Sequence, residues 1–485
     1  MRNYLLSTGA GLASAVLLGG CASVPRDAGF PKVQQAVMDR TGHSVQWNQG
    51  TESDRQAADA VHAMLQRELT ADDAVQVALL NNQNLQATYE ELGIAQAELV
   101  EMGLLKNPSF TADVRFPKAR ALPFEIEVTQ SFIDLLLMPL RKRTASAAFE
   151  AAKLRVTQEV LGTAANVKVA YYRAQGSAQL VEMRGSIVAA TDASFDAARR
   201  MHEAGNSNDL ALANERALHE QAKIDLARAE REALDSREEL SALMGVWGAD
   251  TAWTVAPRLP SIPPVEIDAT HLESLAITNR ADLLAAWEQV EVYAGSLGLT
   301  RSMPFGSDVT IGGHFSQESD ATKSAGPTIS LPLPIFNQGQ PAIFAAQARL
   351  RQAQRRYAAL AVQIRSDVRR ARNNLLAARD LADYYGRVIV PLRHQIVQEN
   401  MLQLNAMRIG VFELLQSKQA EIDAGREYVE ALKGYWVAHA ELERAVGGRL
   451  PASRPSTQPT AATSPNAPMP GDAASPATPP HHHGE

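Results

Sequence analysis

A short sequence pattern returns about 200 residues downstream, and this repetition constrains the fold more than any other feature of the chain. Leu79-Leu80-Asn81-Asn82-Gln83-Asn84-Leu85-Gln86-Ala87 recurs as Ile277-Thr278-Asn279-Arg280-Ala281-Asp282-Leu283-Leu284-Ala285. Each copy runs through a helical stretch rich in Ala, Glu and Leu to a proline break, at Asn107-Pro108 and at Met303-Pro304. Two short alternating segments follow, then a very long helical stretch that Gly205 and Gly410 interrupt at comparable places. The chain therefore reads as a tandem duplication, residues 69–260 and 261–450, each half ordered helix, strand, strand, helix, helix.

The alternating segments predict four strands, near 109–117, 122–132, 307–316 and 326–336. In Phe110-Thr111-Ala112-Asp113-Val114-Arg115-Phe116 the apolar residues share one face and Thr111, Asp113 and Arg115 the other, the period of two of a strand. Phe124-Glu125-Ile126-Glu127-Val128-Thr129 repeats it with two acids on the polar face. Val309, Ile311 and Phe315 alternate with Thr310, His314 and Ser316, and Ile329, Leu331, Leu333 and Ile335 form a fourth apolar row. A half-buried sheet in a water-soluble sandwich has the same alternation. What separates the two readings is isolation, because two hairpins lie far apart with only helix between them. Lipid permits no open sheet edge, so four strands span a bilayer only by joining strands of other copies. Three copies give about twelve strands, within the range of transmembrane barrels.

The helical parts, from about 141 to 204 and from about 341 to 409, would each extend roughly 90 to 100 Å. A solid coiled-coil rod is the plain alternative, and it leaves the strands unexplained. Glu125 and Glu127 serve either to solvate a lumen or to add a cation-favouring field inside a barrel.

A formal net charge of -7 argues against a nucleic-acid partner. The sole cysteine, Cys21, excludes an internal disulfide. Arg2, an apolar stretch from about Tyr4 to Leu18 and the small residues Gly19 and Gly20 predict a signal peptide over 1–20. Leu18-Gly19-Gly20-Cys21 resembles a bacterial lipobox, in which the cysteine sulfur receives a diacylglycerol, so a covalent lipid on Cys21 is expected and no other cofactor. Ala22 in the next position favours the outer membrane. No run of about 18 apolar residues follows, so strands are the only spanning elements on offer. Residues 21–68 read as a lipid-anchored linker with a helix near Ala57 to Arg67, and 451–485 as a disordered Pro- and Ala-rich tail.

From about Leu69 to Gly448 the chain resembles the TolC-like outer-membrane efflux family. The most specific sign is Ile329-Ser330-Leu331-Pro332-Leu333-Pro334-Ile335-Phe336-Asn337-Gln338-Gly339-Gln340, similar to the family's strand-to-helix junction. There Pro332 and Pro334 end the strand, and Asn337 and Gly339 turn the chain into the helix. Leu69-Thr70-Ala71-Asp72-Asp73-Ala74 is similar to its customary helix start, with Thr70 placed as the cap. The resemblance implies an α+β membrane protein: a homotrimer whose about twelve-strand β-barrel, four strands per chain, continues into a long periplasmic α-helical barrel. It implies a lipid-anchored place in the outer membrane, among its lipids, with a large periplasmic portion. It implies two partners, a periplasmic adaptor (membrane fusion) protein and an inner-membrane pump of the RND type.

In the family the helix tips form the periplasmic mouth, where the adaptor docks and an acidic ring narrows the pore. The resemblance puts adaptor docking at Gly205 and Gly410 and a candidate gate at Glu413, with Gln416 in place of a second acid. Gly205 to Asp209 and Gly410 to Glu413 differ in spacing, and a solvated helix-face acid remains the other reading of Glu413. His481, His482 and His483 form either a site for copper, zinc or nickel or an incidental tail feature, and Met401 and Met407 read first as packing residues. No Walker loop, Rossmann fingerprint, HExxH or GxSxG occurs, so the chain is expected not to be an enzyme. The function expected is the exit duct of a tripartite efflux system for metal ions or small toxic compounds. A type I protein-secretion duct and a non-channel lipoprotein scaffold are the alternatives.

Overall fold

The computed structural model describes residues 23–116, 122–131, 133–264, 271–302 and 309–451. The signal segment, Cys21 and the histidine tail lie outside the described residues. The described residues run through α1 (Phe30–Thr41) and α2 (Glu52–Leu65), then β1 (Glu68–Leu69), α3 (Ala71–Asn81) and α4 (Gln83–Met102). A hairpin of β2 (Ser109–Val114) and β3 (Phe124–Ser131) leads into α5 (Ile133–Glu203) and α6 (Asp209–Met244). After β4 (Thr254–Val255) come α7 (Leu272–Asn279), α8 (Ala281–Ser302), β5 (Thr310–Gln317) and β6 (Lys323–Ser330). Two long helices close the chain, α9 (Gln340–Tyr384) continued by α10 (Val390–Asn405), and then α11 (Val411–Val446).

α5 alone has 71 residues, about 105 Å at the rise of an α-helix. It starts well before Arg141 and carries Pro139 inside its second turn, where the Leu135 carbonyl goes without its usual helical donor. Between α9 and α10 lies a single π-turn, Tyr385–Ile389, that the sequence reading missed. Pro391 has no N–H to give the Arg387 carbonyl, and the Val390 N–H reaches back to the Tyr385 carbonyl instead.

Two cores of similar build sit beside the middle of these helices. In the first, Leu69, Leu79, Leu85, Tyr89, Val160, Tyr171, Leu240 and Trp253 are buried together. In the second, Leu272, Leu283, Ile364, Leu375, Tyr435 and Leu442 are. The break between α3 and α4 at Asn82 (φ -67, ψ 117) recurs between α7 and α8 at Arg280 (φ -67, ψ 118). Against each break packs a helix-ending glycine, Gly245 beside Asn82 and Gly447 beside Arg280. Both glycines are left-handed, at φ 70 and φ 85. Thr70 caps α3 as expected, its hydroxyl accepting from the Asp73 N–H at 3.1 Å.

The N-terminal segment departs from the linker reading. Phe30, Val33 and Val37 on α1 are buried, and the Phe30 ring meets Tyr89 edge-on at 5.0 Å. One apolar residue per turn over only three turns is too sparse a signal to identify from sequence, yet the first core holds it.

β2, β3, β5 and β6 form one antiparallel sheet in the order β2-β3-β5-β6, so strands distant in sequence meet at β3–β5. At that seam a Cβ on Gly312 would lie 2.2 Å from the Val128 carbonyl oxygen, which only glycine avoids. β6 ends at Ser330 rather than near 336, because Pro332 and Pro334 have no N–H for a ladder. Leu331, Leu333 and Ile335 leave the sheet as an exposed extended segment.

Candidate functional site: a two-faced sheet and the helix tips

Residues directly opposite one another in an antiparallel sheet point to the same face. The register pairs Phe110 with Val128, Ala112 with Ile126, and Val114 with Phe124. It pairs Ile126 with Phe315 and Ile311 with Ile329. One face is thus mainly apolar across all four strands, with Gln130, Gln317 and Lys323 at its ends, and Phe110 is 67% and Ile329 71% exposed. The other face carries Thr111 opposite Glu127, Asp113 opposite Glu125, Glu127 opposite His314, and Ser316 opposite Ser324. Asp113 also lies 3.2 Å from Arg115. Two acids directly opposite one another repel unless water screens them, so this face suits a wet environment. No helix among the described residues is long and apolar enough to cross a membrane.

The junction after β6 is built as follows. Pro332 and Pro334 lie in the extended segment, the Gly339 N–H donates to Asn337 Oδ1 at 2.9 Å, and Gly339 at φ 84 precedes the first turn of α9. Pro341 occupies that first turn, where its lack of an N–H costs nothing.

At the far end of the long helices are two turns. In the first, the Gly205 N–H donates to the His202 carbonyl at 2.9 Å and the Asn206 N–H to the Met201 carbonyl at 2.8 Å. Gly205 is left-handed at φ 74, and Asn208 then caps α6 by accepting from the Ala211 N–H. In the second, the Met407 N–H donates to Leu404 and the Arg408 N–H to Gln403, both at 2.9 Å, with Met407 itself at φ 56. Gly410, at φ -85, is the residue before α11.

The two tips therefore match with Gly205 aligned to Met407 and Asn208 aligned to Gly410, not glycine to glycine. This corrects the sequence alignment and accounts for the unequal glycine-to-acid spacing. Counting back from each helix-capping residue, rather than matching glycines, would have found it. Asp209 is the first residue of α6, whereas Glu413 is the third of α11, with its N–H on the Gly410 carbonyl.

A non-glycine residue in the left-handed region carries about 1 kcal/mol of strain. Met407→Gly is expected to slow amide exchange over 403–412 by several-fold, and Gly205→Ala to speed it at the first tip. Faster exchange in Met407→Gly would refute the assigned turn.

Polar links brace the tips from within. His202 places Nδ1 3.0 Å from the Ser207 carbonyl and Nε2 3.3 Å from Asp209. On the second hairpin Glu421 lies between Lys418 and His394, 2.7 Å from His394 Nδ1. Burial alone would raise the Glu421 pKa, but the hydrogen bonds from Lys418 and His394 and the nearby Lys418 charge outweigh it and hold it below the ordinary value. Between the hairpins a cavity of about 440 Å³ is lined by Ile187, Leu218, Phe412 and Leu415, with Glu215 and Gln416 on its wall. Glu215 is buried and accepts from the Ser194 hydroxyl at 2.6 Å. Among the described residues no cluster of three or more His, Cys, Asp or Glu could hold a metal ion.

A two-faced four-stranded sheet thus sits at one end of helices about 100 Å long. Residues 140–246 match the family described as outer membrane efflux protein. The chain is 22% identical over 397 residues to the cobalt-zinc-cadmium resistance protein CzcC of Cupriavidus metallidurans, covering 78% of this chain and 90% of that one. A membrane protein from Pseudomonas aeruginosa superposes with a TM-score of 0.67 at 17% identity, over 78% of this chain and 92% of that chain. The Campylobacter jejuni CmeC outer membrane channel does so with a TM-score of 0.64 at 14% identity, over 90% and 94%. The resemblance to the TolC-like outer-membrane efflux family holds, and the fold is that of its channels.

Proposed function

We propose that the chain is the outer-membrane exit duct of a tripartite efflux system, working as a homotrimer. The observation that carries this reading is the sheet, apolar on one face, polar on the other and open at β2 and β6. Three such sheets joined edge to edge close into a barrel of about twelve strands, with the apolar face toward lipid and Glu125, Glu127 and His314 toward a lumen. The matched breaks at Asn82 and Arg280 and the matched tips support a tandem duplication of residues 69–260 and 261–450. A lipid on Cys21 would tether the chain to the outer membrane.

The helix tips, with Gly205, Met407 and Gly410, would meet a periplasmic adaptor, and an inner-membrane pump, of RND type, would supply the energy. The cargo is metal ions or small toxic compounds, and the metal branch draws support from the likeness to CzcC. No catalysis belongs to this chain.

The test measures cellular cobalt, zinc, cadmium and copper by mass spectrometry in a deletion strain under sublethal metal, with dye efflux in the same cells. Metal build-up reversed by the intact gene makes it a metal duct, whereas normal metal with retained dye makes it a drug duct. Neither defect, together with co-purification of an ABC transporter, would point to protein secretion. Purified trimers that conduct no current in a planar bilayer would reduce the protein to a scaffold.

Glu413 is proposed as the gate acid. Glu413→Ala is expected to raise single-channel conductance or weaken cation preference. A channel that keeps both unchanged makes Glu413 a solvated helix-face acid.

A further inference from the structure

α9 is strongly basic, with nine arginines against three aspartates. From Gln340 to Ile364 it holds Arg349, Arg351, Arg355 and Arg356 and no acid, and all four side chains are exposed. Among the described residues the ion pairs of this helix begin only further down, at Arg369 with Glu273 and Arg370 with Asp367. α4 is the opposite, with four glutamates and no basic residue. Glu91, Glu98 and Glu101 are exposed, and Ile94 between them is 60% exposed.

Both helices stand at open ends of the fold. α4 leads into β2 and α9 follows β6, the two edges of the sheet. α5 lies between α4 of its own half and α8 of the other, whereas α9 packs against α8 of its own half and has no short helix on its far side among the described residues. Burial records the difference. Ala151 and Leu161 on α5 are buried, while their counterparts Gln352 and Val362 on α9 are exposed.

The matched halves indicate what belongs on that side. Asn82 matches Arg280 at the breaks, and the buried Val167, Ala170 and Ala174 match Val368, Ala371 and Leu375, so α4 corresponds to α8 and α5 to α9 position by position. Where α5 meets α8, a Cβ on Gly295 would lie 3.2 Å from that of Thr144, and Glu288 feels the charges of Glu150 and Lys153. Ala148 and Arg155 of α5 and Gln289 and Val292 of α8 line one cavity beside that contact. The same contact made by α9 with α4 of another copy sets Ala345 against Ala97. It brings Arg351, in the place of Glu150, to Glu90, in the place of Glu288. Arg349 and Arg356, in the places of Ala148 and Arg155, come to Glu91 and Ile94, in the places of Gln289 and Val292. Glu90 is already held in position by the Trp47 indole N–H at 2.9 Å.

We propose that the arginine row of α9 is a docking surface for the acidic edge of α4 on a second copy of this chain. The inference rests on the homotrimer reading and adds to it a helical seam that continues the join between β6 and β2. Exposed ion pairs are individually weak, but rows of opposite charge fix partner and register. Two α9 rows facing one another would repel, as would two α4 edges, so only unlike surfaces meet. Such head-to-tail contacts close into rings, which a self-complementary patch does not.

The test is disulfide trapping in the full chain carrying Ala97→Cys and Ala345→Cys together, read on non-reducing gels after mild oxidation. A covalent trimer that reductant dissolves is expected, and neither substitution alone should give it. Arg349→Glu is expected to lower the trimer fraction in native mass spectrometry at least 3-fold, Glu91→Arg to do the same, and both in one chain to restore it. If the unaltered protein is trimeric and the cysteine pair stays unlinked, the placement is overturned and the homotrimer stands. Linked trimers indifferent to both charge reversals would overturn the role given to the arginines. An unaltered protein that remains monomeric would sink the duct reading and this seam together.

Discussion

Val128→Arg is expected to remove the protein from the outer membrane, while Glu127→Arg, one residue earlier, leaves it there. Val128 lies on the apolar face, opposite Phe110 on β2 and Gly313 on β5. Glu127 lies on the polar face opposite Thr111 and His314. An arginine facing lipid near the midplane costs about 2–4 kcal/mol, and a homotrimer would carry that penalty in every copy. An arginine facing a watery lumen costs little and reverses the local charge. Membrane fractionation and the yield of folded trimer read the first effect, and ion selectivity reads the second. If both variants insert equally, the apolar face does not meet lipid, and the barrel reading falls with it.

Trp253→Ala should destabilise the helical region by about 3–5 kcal/mol, the range for emptying a fully buried aromatic site. Trp253 is 1% exposed, and its indole N–H donates to Ser241 Oγ at 3.1 Å. The Arg237 guanidinium stacks on its ring at 3.8 Å and donates to the Thr251 and Trp253 carbonyls, both at 2.5 Å. Removing the ring opens a cavity and strips the platform from a half-buried cation. Trp253→Phe keeps most of the packing and loses only the hydrogen bond, so it should fall between the two, nearer the parent. The midpoint of thermal or denaturant unfolding, followed by helical circular dichroism, reads the difference. A loss below about 1 kcal/mol for Trp253→Ala would mean that β1, β4 and the ends of α3 and α6 are held by other contacts.

The sheet was legible in the sequence because its signal is local. Alternation at Phe110 to Phe116 and at Phe124 to Thr129 fixes the faces of those strands, and proline placement fixes where β6 stops once its lost donors are counted. The β3–β5 pairing was not legible, since it depends on which residues approach closely, and Gly312 shows its role only against the Val128 carbonyl. α1 escaped notice because Phe30, Val33 and Val37 are an ordinary scatter until Tyr89 and Trp47 surround Phe30. At the tips, glycine served as a marker of the left-handed residue, and Met407 defeats that rule by taking the conformation without the usual residue.

In the proposed trimer, the sheet's two open edges would make closure of the wall, in kinetic terms, a third-order event. A single chain offers β2 and β6 with unpaired backbone groups, and Pro327 within β6 makes one of those edges poorer in donors. A sheet with open edges has no stable resting place in a bilayer by itself, so the proposed barrel would close only when two more chains arrive. The rate at which ducts form would then rise with roughly the cube of the local chain density. Confinement to a membrane surface by a lipid would raise that density, and the expected anchor would act as an assembly catalyst as much as a tether.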